Sequence, residues 1–330
     1  MVYLLWLGVF AVSCLLAYRF SRPDSWLHIL DQPNHRSLHA SPVPRSGGVA
    51  VVLAILAGGG TVYLQNPSAD LTGIAAGFLG VSIIGFADDI RNLRARYRLF
   101  VQMASALAMI LSGLRIEAID FPGGVWALTP VVGGVLSLLF IIWMTNLYNF
   151  MDGMDGLAGS MALFGFAALA VLGWLAGDMT YMMLNGIIAA ASLGFLVWNI
   201  PPARLFLGDA GSYGLGFLSA GMLIWGENLG IFPLWIGLLI FSPFIMDATS
   251  TLFLRLFRGE KIWEAHREHA YQRAVRSGLG HRTTLAWAVS IILAAGVSGI
   301  LLKSQVAAVQ WPALWVWGIF YLALFWYVRK

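Results

Sequence analysis

Long apolar runs alternate along the chain with short polar islands. Eleven runs have roughly the 17–25 residues that cross a ~30 Å hydrocarbon core. They cover residues 2–20, 46–65, 71–87, 97–114, 128–147, 157–177, 179–198, 212–229, 231–254, 284–303 and 311–328. The pattern predicts an all-α fold, a polytopic membrane bundle of about 11 transmembrane helices forming a single domain over 1–330. The first run lacks a basic leader, and Arg19 and Arg22 follow it, so it reads as a retained helix rather than a signal peptide.

Composition agrees with a protein dissolved in lipid. Only 11% of residues are charged and 59% are hydrophobic, against about 25% charged in an average globular domain. Disorder, a coiled coil and a disulfide scaffold are excluded on the same grounds, since Cys14 is the only cysteine. The net charge of +4 does not point to nucleic acid, because the basic residues form islands between apolar spans rather than one face.

Charge also orients the chain. Of the 20 Lys and Arg residues, all but Arg115 and Lys303 fall in alternate loops. Basic loops stay cytoplasmic, which predicts an N-terminus outside and a C-terminus inside. Ten of the 16 acidic residues sort to the same side, namely Asp24, Asp31, Asp88, Asp89, Asp152, Asp155, Asp209, Glu260, Glu264 and Glu268. The rule for basic residues does not require this, so chemistry is expected at the cytoplasmic face, in loops 21–45, 88–96, 146–156, 199–211 and 255–283.

The polar islands differ in character. Residues 31–48 hold His35, His39, Arg45 and three prolines that forbid a continuous helix. Asp88 and Asp89 end an apolar span, where a carboxylate is costly and marks a functional candidate, although pairing with the arginines that follow is the alternative. Asn146, Asn149, Asp152 and Asp155 recur every third residue without a basic neighbour, which calls for a cation or a ligand. Asp209 lies between Gly208 and Gly211 at a helix start, either as a hard ligand for Mg²⁺ or as a cap; that helix start is also an anion site. His266, Arg267, His269 and Arg273 could grip phosphates. Asp247, inside the ninth run, is expected to pair with an arginine such as Arg255.

In this order, RSLHASPVPRSGG, GFADD, NLYNFMDGMDGLAG, FLGDAGS and AHREHAYQR resemble the polyprenyl-phosphate N-acetylhexosamine-1-phosphate transferase superfamily, glycosyltransferase family 4, from about residue 31 to about residue 280. Two departures stand out: Arg36–Ser37 replaces Arg-Lys, and Glu268 stands where the family has the middle histidine of its late loop. Both look like the branch that initiates O-antigen synthesis rather than the muramoyl-pentapeptide transferases. The other readings are that peptidoglycan branch and, from a different class, a membrane transporter.

The resemblance implies a bacterial inner-membrane enzyme facing the cytoplasm. A polyprenyl (undecaprenyl) phosphate oxygen would attack the β-phosphate of a UDP-sugar and release UMP. The implied cofactor is Mg²⁺, with Mn²⁺ as the alternative ion, held by Asp209 and Asn149. Asp88 and Asp89 would attend the lipid phosphate, and Asp152 and Asp155 the nucleotide, with Asp155 nearer the uracil. Arg98, His266, Arg267 and His269 would hold phosphates. The expected partners are the UDP-sugar, the polyprenyl phosphate and the bilayer, with a homodimer left open. The hexosamine stays open among N-acetylglucosamine, N-acetylfucosamine and N-acetylquinovosamine.

Overall fold

A computed structural model describes residues 2–33, 41–261 and 266–329. The sequence expectations on His35, Arg36, His39 and Glu264 lie outside these residues. The helices are α1 (Val2–Ser21), α2 (Gly47–Gln65), α3 (Ala69–Arg91), α4 (Ala95–Leu111), α5 (Pro130–Met151), α6 (Leu157–Ala176) and α7 (Met179–Asn199). They continue with α8 (Gly208–Asn228), α9 (Leu234–Ile240), α10 (Ser242–Phe257), α11 (Ala270–Ala274), α12 (Gly280–Leu302) and α13 (Ala307–Arg329).

Among the described residues, eight helices are long and apolar enough to cross a membrane, or nine when α9 and α10 count as one broken span. The chain is therefore a mostly helical, multi-pass membrane protein. Two expected spans do not meet that description. Helix α4 has 17 residues, and α8 carries Asp209, Glu227 and Asn228 among many glycines.

Two further features differ from the expected pattern. The run 231–254 is not one helix but bends by 82° between α9 and α10. Pro243, in the first turn of α10, lacks an N–H and its ring clashes with the carbonyl four residues back, so a straight helix cannot pass through it. The all-α fold also contains two small antiparallel hairpins. Leu30–Asp31 pairs with Val43–Pro44, and Ala118–Phe121 pairs with Gly124–Ala127.

Helix α8 is the axis of the bundle. Every residue from Ala210 to Gly226 is buried, with α3, α5 and α2 packed around it. Glycines set how closely α8 is approached: a Cβ on Gly48 would meet the backbone of Gly211, and one on Gly85 the backbone of Asp209. Several buried hydroxyls in the spans bond within their own helices, as where Thr145 donates to the Ile141 carbonyl and Ser219 to that of Leu215, while Ser13 of α1 donates across to the Ala191 carbonyl of α7. At the periphery, α13 leaves Trp315, Ile319, Leu322 and Trp326 exposed, as a helix bathed in acyl chains should.

Candidate active site

The last turn of α3 meets the first turn of α8. The Asp89 carboxylate accepts the Asp209 N–H at 3.0 Å and the Ala210 N–H at 3.1 Å. Orphan N–H groups at a helix start favour such a partner. Two donors of the anion site expected at the start of α8 are thus already taken by Asp89. Arg45 closes the arrangement: its guanidinium donates to the Asp89 carbonyl, lies 3.7 Å from the Asp89 carboxylate and 3.8 Å from that of Asp31. Its backbone is held by the Ile29 carbonyl. Gly208, at φ +73°, turns the chain into α8 beneath the Arg45 carbonyl, where a side chain would not fit.

Asp88 faces the other way. It accepts the Leu93 N–H at 2.6 Å and a donor of Arg98 at 2.7 Å. Arg98, at the start of α4, also donates to the Tyr213 hydroxyl at 3.2 Å. Both aspartates are almost fully buried. The pairing foreseen as the alternative is present between Asp88 and Arg98, whereas Asp89 meets Arg45 of the first island, and Arg91, Arg94 and Arg96 project to solvent.

Helix α5 brings in the third island. Asn149 donates from its amide to Asp209 Oδ1 at 2.7 Å and to Ser212 Oγ at 2.8 Å. Asn146 is one turn back and exchanges hydrogen bonds with Gln102 of α4. Asp152 caps the end of α5. Burial, then the charges of Asp209, Asp89 and Asp31, raise its carboxyl well above the usual range. Asp88, Asp89, Asn149, Asp152 and Asp209 are thus gathered from three helix ends into one electrostatic unit.

Asp155 stands apart from that unit. It accepts the Ala203 N–H at 3.0 Å and lies 3.7 Å from His281 Nδ1. It lines a cavity of about 600 Å³ with Phe206, Pro201, His281 and Arg282. Asn199 braces this region by accepting the Gly156 N–H and donating to the Leu205 carbonyl. Its only trace in the sequence is an amide at the end of an apolar run.

The late loop approaches from α10. The His266 and His269 rings lie 4.8 Å apart, and His269 stacks on Tyr271. Burial, then His269 and Arg255, lower the His266 imidazole to about 4, so it is neutral at pH 7. Arg267 is half-buried and makes no hydrogen bond or ion pair with the described residues. The Tyr271 hydroxyl donates to the Phe150 carbonyl at 3.1 Å, tying the loop to the third island.

The expected Asp247–Arg255 pair is absent. Arg255 lies 3.2 Å from Glu260 and donates to the Lys261 carbonyl. Eight residues of α-helix advance about 12 Å, so Arg255 sits too far along α10 to reach Asp247. Asp247 instead accepts N–H groups from the late loop.

The oxygen donors at the aspartate cluster are hard and suit Mg²⁺. Among the described residues, no group of three or more His, Cys, Asp or Glu side chains is preassembled to hold a metal ion. The Asp209 carboxylate, with the Asn149 amide 2.7 Å from its Oδ1, fits an open site of the kind in which Mg²⁺ takes one or two carboxylates and completes its shell with water and substrate phosphate. Arg45, Ser212, Tyr213 and Tyr271 also belong to the site. Of these, Arg45, Ser212 and Tyr271 fall within the quoted motifs, and Tyr213 directly follows one of them.

Residues 71–227 match the model of glycosyl transferase family 4. A probable undecaprenyl-phosphate N-acetylglucosaminyl 1-phosphate transferase from Bacillus subtilis (strain 168) is 29% identical over 306 residues, covering 90% of this chain and 82% of the relative. The undecaprenyl-phosphate alpha-N-acetylglucosaminyl 1-phosphate transferase of Escherichia coli (strain K12) is 27% identical over 333 residues, covering 97% and 88%. The similarly named protein of Yersinia pestis is 27% identical over 285 residues, covering 83% and 76%.

Proposed function

We propose that this chain, a member of glycosyl transferase family 4, transfers an N-acetylhexosamine 1-phosphate from a UDP-sugar to polyprenyl phosphate and releases UMP. The product would be the first lipid-linked intermediate of a glycan such as O-antigen. The observation that carries this function is the convergence of Asp88, Asp89, Asn149, Asp152 and Asp209 at one end of an apolar bundle, beside Arg45 and Arg98. The names of the relatives make UDP-N-acetylglucosamine and undecaprenyl phosphate the first substrates to test.

Phosphoryl transfer asks the protein for positioning and charge neutralisation. Asp209 and Asn149 would hold Mg²⁺, which when bound neutralises diphosphate charge and the leaving UMP. As placed, Asn149 turns its NH₂ toward Asp209; rotation of the amide about Cβ–Cγ would present its oxygen to an ion. Asp88 and Asp89 would face the lipid phosphate, largely ionised at pH 7, so they serve to position Arg98 and Arg45 rather than to remove a proton. The cavity beside Asp155 would take the uridine, with Phe206 in its wall. Arg267 would supply a permanent cation to the donor phosphates, His266 being neutral.

The proposed topology keeps eleven crossings, with α4 and α8 as spans shielded by their neighbours and α9–α10 as one broken span. The N-terminus is then outside, and the site with most arginines faces the cytoplasm of a bacterial inner membrane. The test is transfer of radiolabelled sugar phosphate from a panel of UDP-sugars to undecaprenyl phosphate by the purified protein in lipid. No labelled lipid with any donor would overturn the proposed function.

A further inference from the structure

Asp247 is a carboxylate in the middle of a broken span, and the proposed reaction gives it no role. It is almost fully buried, and all its side-chain partners but Thr251 lie in the late loop. Oδ1 accepts the Ala270 N–H at 2.8 Å and the Thr251 hydroxyl at 3.3 Å. Oδ2 accepts the Tyr271 N–H at 3.3 Å. His269 Nδ1, also buried, lies 3.4 Å from Oδ1. A side chain of α10 therefore caps α11 from outside, gathering the segment His269–Tyr271 onto one carboxylate. The break at Phe241 turns α10 by 82° from α9. A second tether runs from the Tyr271 hydroxyl to the Phe150 carbonyl, one residue after Asn149.

We propose that Asp247 is a positioning residue for donor binding. Its carboxylate, together with the Tyr271 hydroxyl, holds the late loop so that His266 and Arg267 meet the donor phosphates beside the aspartate cluster. The inference rests on the transferase function proposed above. A buried carboxylate kept only for stability is a costly choice, since an apolar side chain would fill the same volume without a desolvation penalty. Its oxygens accept backbone N–H groups of the late loop, whereas the other ties of that loop run from Glu268 to Arg258 and Arg273 and from the Tyr271 hydroxyl to the Phe150 carbonyl. Asp247 touches no substrate in this scheme; it acts through His269 and the backbone of Ala270 and Tyr271.

The experiment uses the full chain in lipid nanodiscs, with UDP-N-acetylglucosamine and undecaprenyl phosphate varied in turn, and hydrogen exchange followed over residues 266–275. Asp247→Ala should raise the donor KM by about 10-fold or more, the effect of losing one or two charge-assisted hydrogen bonds. The lipid KM should stay within about 2-fold, and the Ala270 and Tyr271 amides should exchange faster. Asp247→Asn keeps one acceptor but turns an NH₂ toward a backbone N–H, so it should fall between wild type and Asp247→Ala. Tyr271→Phe, which removes only the second tether, should show the same donor-side bias and keeps the test open if Asp247→Ala does not fold. Equal loss on both substrates, or unchanged amide protection, would overturn the positioning role. A wild-type protein that transfers no sugar phosphate would overturn the proposed function instead, while exchange in Asp247→Ala would still decide whether the anchor exists.

Discussion

The Asp89 carboxylate caps the helix that carries Asp209, accepting the N–H of Asp209 itself and that of Ala210. The two aspartates are 120 residues apart in the chain, yet the position of one is set by the other. Asp89→Ala should therefore act twice. It should lower stability by about 1–3 kcal/mol through the unsatisfied N–H groups and remove transfer. Asp209→Asn should remove transfer with little loss of folded protein, because Asn149 retains a neutral acceptor. Thermal unfolding in detergent and steady-state transfer rates separate the two. Near wild-type transfer by Asp209→Asn would leave Asp209 with no part in metal binding.

Metal dependence follows from the open carboxylate site. Chelation with EDTA should abolish transfer, and Mg²⁺ or Mn²⁺ should restore it. In Asn149→Ala the concentration of Mg²⁺ for half-maximal activity should rise by about 10-fold or more, since one of two protein ligands is lost. A metal titration of both proteins checks this, and an unchanged midpoint would count against Asn149 as a ligand.

Arg267→Lys keeps the charge but loses the planar fork that grips a phosphate in two places. A charge-assisted bond contributes roughly 1.5–3 kcal/mol, so kcat/KM for the UDP-sugar should fall about 10- to 150-fold, with the lipid dependence changed far less. Untouched kinetics on both substrates would make the loop a basic anchor only.

His266 gives a signed pH effect. Its imidazole is held at about 4 in the fold, against about 6.5 in an unfolded chain. The unfolded state then binds more protons between these values, so this group's contribution is full above about pH 6.5 and is lost as pH falls toward 4. Wild type should lose stability over that window more steeply than His266→Gln. Parallel melting temperatures of the two proteins from pH 7 to 4 would show that His266 does not contribute.

Topology can be tested with single cysteines at exposed positions in a Cys14→Ser background. Ser277 is exposed beside the proposed site, whereas Asn66 and Ser304 are exposed at the other ends of the spans. An impermeant thiol reagent should label Asn66→Cys and Ser304→Cys in intact cells, and Ser277→Cys only after permeabilisation. Ser46 and Ser160 are buried, so cysteines there would stay unlabelled in either orientation.

The sequence alone determined a membrane-spanning helical bundle, because a backbone in lipid must satisfy its own hydrogen bonds and only long apolar helices do so along one segment. It also determined which residues are chemically out of place: Asp88, Asp89, Asn149, Asp152 and Asp209 are costly where they stand, and cost is visible without coordinates. Partnership was not visible. That Asp89 belongs to the start of α8 and to Arg45, and Asp247 to the late loop rather than to Arg255, depends on which helix ends meet. That in turn depends on the glycines along α2, α3 and α8 that let backbones touch, and on the break before Pro243. A carboxylate's need for a partner is local, but the choice of partner is made by packing between segments far apart in the chain, and only the tertiary structure decides it.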